Sequence, residues 1–505
     1  MRPTAVAPRP LSTLAAELGL TEPVRGAVTG ITHDSRRVRP GDLYVALSGT
    51  RVHGADFAAQ AAAGGAVAIL TDPAGRERAE RTGLPVLTVD DPRERLGQVA
   101  SWVYGEPARD LLLLGVTGTS GKTTTAYLLD SGLRAAGYRT GLVGTVETRI
   151  GDTTLKSDLT TPEATDLHAL FAVMREQGVT AAAMEVSSHA LALSRAAGAH
   201  FDVAIFTNLS QDHLDFHADL EDYFSAKARL FTRDHSDVAV VNVDDSHGRA
   251  LTEVAEIPVT TFSASGDTEA DWRAEDVRCG LDGSTFRIVG PGGIEADGWV
   301  PIPGPFNVDN ALGAIVALVE AGVSLQAAVL GVSALPGVPG RMQRVDAGQD
   351  FLAVVDYSHK PGAVEAILTS VRSVTDGRLI VVLGCGGDRD RGKRPLMGEA
   401  AARFADLAVF TNDNPRSEDP MAILAAMLDG AVAVPPAERA HVVVEPDRAE
   451  AIELAVSRAR PGDVVVVAGK GHEQGQEVGG VVHPFDDRVV LADVLERWVK
   501  SGGRV

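Results

Sequence analysis

Cysteine is almost absent from this 505-residue chain: Cys279 and Cys385 stand more than 100 positions apart, so a disulfide framework and a thiolate metal site are both excluded. Positive charge is also in short supply. Lys and Arg total 47 against 68 Asp and Glu, and the net charge of −21 repels a phosphate backbone and an anionic bilayer alike. No nucleic-acid partner is therefore expected, and any basic cluster calls for a local reason. No apolar run approaches bilayer-spanning length, and the opening MRPTAVAPRPLSTLAAEL lacks the apolar core of a signal peptide. A cytoplasmic protein without a membrane span is the expectation. No period of 20 to 50 residues repeats, which argues against a solenoid.

What is present is ordinary globular composition, 45% hydrophobic and 23% charged. At about 100–200 residues per domain, the length implies three α/β domains. Pro and Gly clusters at YGEPARD (104–110) and at LPGVPGR, ending in Arg341, mark the seams. The expected division is 1–106, 107–337 and 338–505. From Asp110 onward, apolar runs (LLLLGV, VTAAAMEV, FDVAIFTN, DVAVVNV) alternate with amphipathic stretches, the pattern of a parallel sheet with crossover helices. Short alternating stretches near 260–300 suggest a small antiparallel appendage. After Arg341, the runs FLAVVDY, RLIVVLG, DLAVFTN, HVVVEPD and DVVVVAG predict a Rossmann-like doubly wound domain. Ligands of such sheets bind beyond the carboxyl ends of the strands. His359, Arg389, Arg391, Lys393, Arg394, Arg416, Lys470 and His472 should therefore gather with Asp388, Asp413 and Glu473, a mixed-charge crevice suited to a zwitterion.

The sharpest local signal is GVTGTSGKTTTAYLL. Here a buried strand runs into Gly118, Thr119, Ser120, Gly121, Lys122, Thr123 and Thr124, and an amphipathic helix follows to about Gly137. Glycines let consecutive N–H groups turn inward, the helix N-terminus adds positive potential, and Lys122 and Thr123 suit a terminal phosphate and Mg2+. Val116 stands where the strict pattern has Gly, so this is a variant ATP-binding loop. Glu185 ends an apolar run and should project toward that loop as a hard oxygen ligand. Ser187, Ser188, His189 and Arg195 follow it, and Asp212 and His213 close the next strand.

Taken together and in order, GTSGKT, EVSSHA, TNLSQDHLDFH, FNVDNALGAI, GRMQ and DYSHKP resemble the Mur ligase family of ATP-dependent amide-forming enzymes. DNPR at Asp413–Arg416, GCGGDRDRGKRPLMG and AGKGHEQGQ resemble its diaminopimelate-adding branch. The resemblance implies ATP contacts by the 118–124 loop, Asn307, Asn310, Arg341 and Asp356, and two Mg2+ ions near Thr123, Glu185 and His213. It implies that Lys227 carries a carbamyl group and binds metal, and that Lys122, Lys227, His213 and His359 serve catalysis. Ser35, Thr160, Thr161, Ser187 and Arg195 match contacts to a UDP-linked muramoyl dipeptide, UDP-MurNAc-L-Ala-D-Glu. Arg389, Asp413, Asn414, Pro415, Arg416, Gly469 and Glu473 match the diaminopimelate pocket. Lys360 and Leu193 depart from the pattern, standing where many relatives have Thr and some have Gln.

The implied reaction converts the D-glutamate γ-carboxylate to an acyl phosphate, because a carboxylate has no leaving group, and the amine of diaminopimelate then displaces phosphate. A monomer is expected. Two alternatives stand beside it: another ligase of the same superfamily, adding lysine or D-Ala-D-Ala or extending folate with glutamate, and a nucleotide-dependent switch that binds a macromolecule.

Overall fold

The structure, a computed structural model, describes residues 1–21 and 24–502. The chain divides into two compact units, one holding 1–275, 288–296 and 309–332 and the other 276–287, 297–308 and 333 onward.

In the first unit, Gly30–Thr32, Asp42–Ala46, Ala68–Thr71 and Val86–Thr88 form a four-stranded parallel sheet in that order. The helix Pro92–Val103 begins where Asp91 accepts the N–H groups of Arg93 and Glu94, with proline in the first turn, where a missing N–H costs nothing. Its buried face (Leu96, Val99, Ala100, Val103) shares one core with Ala164, Ala169 and Ala172 of the helix Ala164–Glu176. The N-terminal sheet thus packs onto the central region through a continuous apolar layer.

The central sheet contains strands β1 (Leu112–Thr117), β2 (Ala181–Glu185) and β3 (Phe201–Phe206), with β1 between the other two and all parallel. Ser236–Asn242 and Val259–Ser263 extend it beyond β3. On the far side of β2 come Thr140–Val143 and the antiparallel strands Glu147–Ile150 and Thr153–Lys156. The helix α1 (Lys122–Ala135) follows β1, and Gly137 just beyond its end has φ 88°, a left-handed turn that stops it. Register does the positioning: Glu185 lies opposite Val116, and Phe206 opposite Thr117. The loops after β1, β2 and β3 consequently leave one edge of the sheet at one level.

The second unit is built on β4 (Leu352–Asp356), β5 (Leu379–Leu383), β6 (Leu407–Phe410), β7 (His441–Val444) and β8 (Val464–Ala468), with β8 inserted between β4 and β5. All five are parallel. Every residue of β8 is fully buried, which is why its VVVVA reads as a continuous apolar run. Each such valine contributes about 1.5–3 kcal/mol by leaving water. The short strand Gln343–Arg344 pairs antiparallel with β4 at the sheet edge, and a hairpin of Gly475–Val478 with Val481–Pro484 follows β8.

The strands expected from the apolar runs are all present. Thr140–Val143, Glu147–Ile150, Thr153–Lys156 and the 475–484 hairpin are additions, because each of these short strands is interrupted by Gly, Pro or polar residues and shows no apolar run.

Candidate active site

In the first unit the phosphate-type loop links β1 to α1. Gly121, the residue before α1, has φ 89°, and a Cβ there would lie 2.3 Å from Asn310 Oδ1, so glycine is required twice over. Asn310 also accepts from Thr125 Oγ1 at 3.3 Å, tying the loop to the helix Phe306–Glu320. The Ser120 N–H donates to Asn208 Oδ1 (2.9 Å), and Thr207 Oγ1 donates to the Ser120 carbonyl (2.7 Å), so the segment after β3 holds the loop from the other side. Lys122 Nζ donates to the carbonyls of Gly118 (2.8 Å) and Thr119 (3.0 Å), folded back over its own loop. Val116 lies within β1, and the loop begins at Gly118.

Glu185, 1% exposed, is the acceptor hub. Thr123 Oγ1 donates to its Oε2 at 3.0 Å, Thr145 Oγ1 to Oε2 at 3.0 Å, and the Thr145 N–H to Oε1 at 2.8 Å. Thr145 in turn bonds Thr160 at 3.0 Å. Thr161 Oγ1 donates to the Glu185 carbonyl (2.9 Å) and accepts from the Ser187 N–H (3.1 Å), while Ser187 caps the short helix Ser188–Ala192. Thr123, Thr145, Thr160, Thr161, Glu185 and Ser187 are therefore one hydrogen-bonded cluster.

Lys227, 1% exposed, lies on the helix Leu220–Ala228. Its Nζ donates to the Gly118 carbonyl at 2.7 Å and sits 4.4 Å over the Tyr223 ring. Tyr223 OH is 3.2 Å from Thr119 Oγ1, and burial pushes its phenol well above the usual range. His213 has φ 53°, with Nε2 3.3 Å from Asp212 and its ring edge-on to Tyr223 and His189. Behind it, His217 is buried, its Nδ1 on Asp222 and its Nε2 on Ser188 Oγ, both at 3.1 Å.

Among the described residues, no group of three or more His, Cys, Asp and Glu side chains is arranged to hold a metal ion. The hydroxyl of Thr123 and the carboxylate of Glu185 are nonetheless hard oxygen donors within 3.0 Å of each other, and they fit Mg2+ completed by phosphate and water. His213 and Lys227 adjoin that pair through Tyr223 and the loop. As an ammonium Lys227 has no electron pair to offer, so only a carbamylated Lys227 could join a cation.

Toward the N-terminus, Ser35 Oγ donates to Gln60 Oε1 at 3.0 Å. Arg195 pairs with Glu163 (2.8 Å), which also pairs with Arg93 (2.8 Å), while Nδ1 of His33 meets Thr165 at 3.1 Å. Burial, opposed by Glu163, lowers the His33 pKa.

In the second unit the loops after β4, β5, β6 and β8 leave the same sheet edge. Asn414 Nδ2 donates to Glu473 Oε2 at 2.9 Å, and the Gly387 N–H donates to the Asn414 carbonyl at 2.8 Å. Arg416 has φ 53°; its Nη1 donates to the Gly387 carbonyl at 2.6 Å, and its Nε is 3.4 Å from Glu477. Gly469 has φ 112°, and a Cβ there would meet Asp413 Oδ2 at 2.7 Å. Asp413, Asn414 and Pro415 are buried, whereas Arg389 is exposed on the loop after β5. Arg394, expected in the crevice, instead lies 3% exposed against Glu418, which Arg394 and the Asp388 N–H hold down at about 2.

The other face of this edge is aromatic. Arg341 lies 4.4 Å over the Tyr357 ring, which packs against His359 and His472. Burial lowers His359 to about 3, and its Nδ1 donates to the Tyr357 carbonyl at 2.7 Å. Burial thus favours the neutral imidazole, with the proton on Nδ1. Asp356 accepts from the Met342 and Ser358 N–H groups, both at 2.8 Å, and from Ser358 Oγ. Asn307 Nδ2 donates to the Pro303 carbonyl at 2.7 Å.

Thr145, Asn208, Glu163, Tyr223 and His217 were not singled out from the sequence. Thr145 sits in a loop with no motif of its own, Asn208 and His217 lie within TNLSQDHLDFH without being set apart there, and Glu163 reads as an ordinary residue ahead of a helix; partners distant in sequence reveal them.

Three family descriptions match the chain in order: "Mur ligase family, catalytic domain" over 27–104, "Mur ligase middle domain" over 116–318, and "Mur ligase, glutamate ligase domain" over 340–471. The chain belongs to the Mur ligase family. It is 62% identical over 497 residues, 98% of each chain, to a Streptomyces avermitilis protein named "UDP-N-acetylmuramoyl-L-alanyl-D-glutamate--2,6-diaminopimelate ligase". It is 52% identical to the protein of the same name in Corynebacterium glutamicum, over 92% of this chain and 90% of that one. A solved structure of a ligase with this name superimposes with a TM-score of 0.70 at 35% identity, covering 96% of this chain and 98% of the other.

Proposed function

We infer that this chain is an ATP-dependent ligase that joins 2,6-diaminopimelate, in its meso form, to the D-glutamate γ-carboxylate of UDP-N-acetylmuramoyl-L-alanyl-D-glutamate, a step in building peptidoglycan precursors. The observation that supports it most is the pairing of two chemistries in a chain 62% identical to a relative of that name: a phosphate loop backed by the Thr123–Glu185 contact, and a loop carrying Asn414 and Arg416.

Each segment has its part in this reading. Residues 1–106 bind the uridine end, with Ser35 as a contact; 107–337 hold ATP and the acyl acceptor; 338–505 bind the amino acid. The N–H groups of Gly118–Thr124 and the ammonium of Lys122 receive the phosphates once Lys122 exchanges its two loop carbonyls for them. Thr123 and Glu185, with His213 and a carbamylated Lys227, hold Mg2+. When bound there, Mg2+ would supply charge neutralisation for phosphoryl transfer. Thr160, Thr161, Ser187 and Arg195 position the dipeptide carboxylate, Arg195 being braced by Glu163. Arg341 and Asp356 adjoin the nucleotide, as do Asn307 and Asn310. Arg416 and Arg389 take a carboxylate of diaminopimelate, and Asp413 and Glu473 take its distal ammonium, Asn414 orienting the Glu473 carboxylate. Its other amine attacks the acyl phosphate and expels phosphate.

No described helix is long and apolar enough to cross a membrane. The reading takes the chain to work as a monomer in the cytoplasm. The deciding experiment is mass spectrometry of the product after incubation with ATP, Mg2+, the UDP-dipeptide and each candidate amino acid in turn. A tripeptide product formed with diaminopimelate and not with lysine is expected; a lysine adduct, or ATP hydrolysis that ignores both substrates, would overturn the reading.

A further inference from the structure

Arg448 opens the helix α2 (Arg448–Arg458), whose cap Asp447 accepts the N–H groups of Ala449 and Glu450. Its side chain and that of Asp487 are both 0% exposed, and they meet in a bidentate pair, Nε to Oδ1 and Nη2 to Oδ2, each at 2.7 Å. Such a buried pair adds little net stability, because the cost of removing both charges from water offsets their attraction. The rest of the guanidinium shows what else it does. Nη2 also donates to the Ala468 carbonyl at 2.9 Å, and Nη1 to the Asn412 carbonyl at 3.4 Å. These carbonyls belong to the end of β8 and the start of the loop after β6, immediately before Gly469 and Asp413.

Lys470, also 0% exposed, makes a second tie between the same two loops. Its Nζ donates to Asn414 Oδ1 at 3.1 Å and to Glu473 Oε2 at 3.0 Å. The Glu477 N–H donates to the same Asn414 Oδ1 at 2.9 Å, so the amide is oriented with Nδ2 on Glu473 Oε2. Both bonds to Glu473 fall on Oε2, which leaves Oε1 to accept from a ligand.

We propose that Arg448, held by Asp487, and Lys470 are positioning residues for amino-acid selection: they lock the loops after β6 and β8 together, so that Asn414 and Glu473 are set in place before the amino acid arrives. Neither need touch the substrate. The proposal rests on the function inferred above and adds the means by which its amino-acid pocket is kept in shape.

The test uses the full-length enzyme, with steady-state constants for each substrate separately. Replacing Arg448 alone would strand Asp487, so the informative variant is Arg448→Met with Asp487→Leu, which removes both charges together. It should melt within a few degrees of the parent yet raise KM for diaminopimelate by about tenfold or more, as loss of an outer-shell partner does. KM for ATP and for the UDP-dipeptide should stay unchanged. Lys470→Met, which leaves the buried pair intact, should move the same constant in the same direction. A folded double variant with unaltered diaminopimelate KM overturns the proposal, as does a rise shared by all three substrates. A parent enzyme that forms no product with diaminopimelate instead overturns the inferred function, and the proposal falls with it.

Discussion

Thr123 Oγ1 donates to Glu185 Oε2 across 3.0 Å, joining the first turn of α1 to the last residue of β2. The register that sets Glu185 opposite Val116 makes the contact possible, and Thr145 supplies two further donors that fix the carboxylate's orientation. Glu185→Gln keeps the shape but turns one acceptor into a donor facing hydroxyls, and it removes the negative charge. The Mg2+ concentration for half-maximal activity should rise about 10- to 100-fold, with the circular dichroism spectrum unchanged. An unchanged metal requirement would remove Glu185 from the proposed ligand set.

Lys227 is buried, with its Nζ on the Gly118 carbonyl at 2.7 Å and 4.4 Å over the Tyr223 ring face, and carbon dioxide adds only to a neutral amine. If the carbamate is the working form, enzyme transferred to carbon dioxide-free buffer should lose most of its activity and recover it on adding bicarbonate. Lys227→Arg, which cannot be carbamylated, should stay inactive under both conditions. Equal parent activity with and without bicarbonate would discard the modification.

Much of this was legible from residue order alone. The runs that became β1–β8 are dominated by apolar residues, and the loop from Gly118 to Thr124 announces itself by composition. Less visible were contacts whose meaning lies in pairing. Thr145 is one hydroxyl among many until β2 sets it beside Glu185, and Arg448 reads as a surface helix residue until Asp487, 39 positions later, proves to be buried against it. The protonation of His359 was equally hidden, because burial and the neighbouring Lys360 and Lys393 charges, not its neighbours in sequence alone, hold it near 3.

Asp309 ties stability to pH. Burial pushes its carboxyl up from 3.8 to about 7, repulsion from Asp244 adds to this, and Asn242 Nδ2, 3.4 Å away, only partly opposes it. The folded chain therefore holds this proton more tightly than the unfolded chain. The stabilisation is full below about pH 4 and is lost as pH rises toward 7. Asp309→Asn should raise the melting temperature at pH 8, with the gain shrinking as pH falls; the difference between pH 8 and pH 5 is on the order of 2 kcal/mol. A gain that is the same at both pH values would show that Asp309 is ionised throughout.

Arg416 is held before any ligand binds. Its N–H donates to the Glu477 carbonyl at 2.9 Å, its carbonyl accepts from the Gly479 N–H at 2.7 Å, and its Nη1 is anchored on Gly387. The guanidinium can therefore meet a carboxylate with little further loss of freedom. Lysine, lacking the distal carboxylate of diaminopimelate, would leave that charge without a ligand carboxylate, answered by Glu477, 3.4 Å from Nε, and by nearby Asp388. Arg416→Ala should cost diaminopimelate at least about 2 kcal/mol in kcat/KM, roughly 30-fold, while lysine loses little, so the preference between them collapses. Arg416→Lys retains the charge without the two-pronged geometry and should restore only part of the preference. If the ratio of kcat/KM values for the two amino acids is the same in Arg416→Ala as in the parent, selection lies elsewhere in the pocket, and Glu473 with Asn414 becomes the place to look.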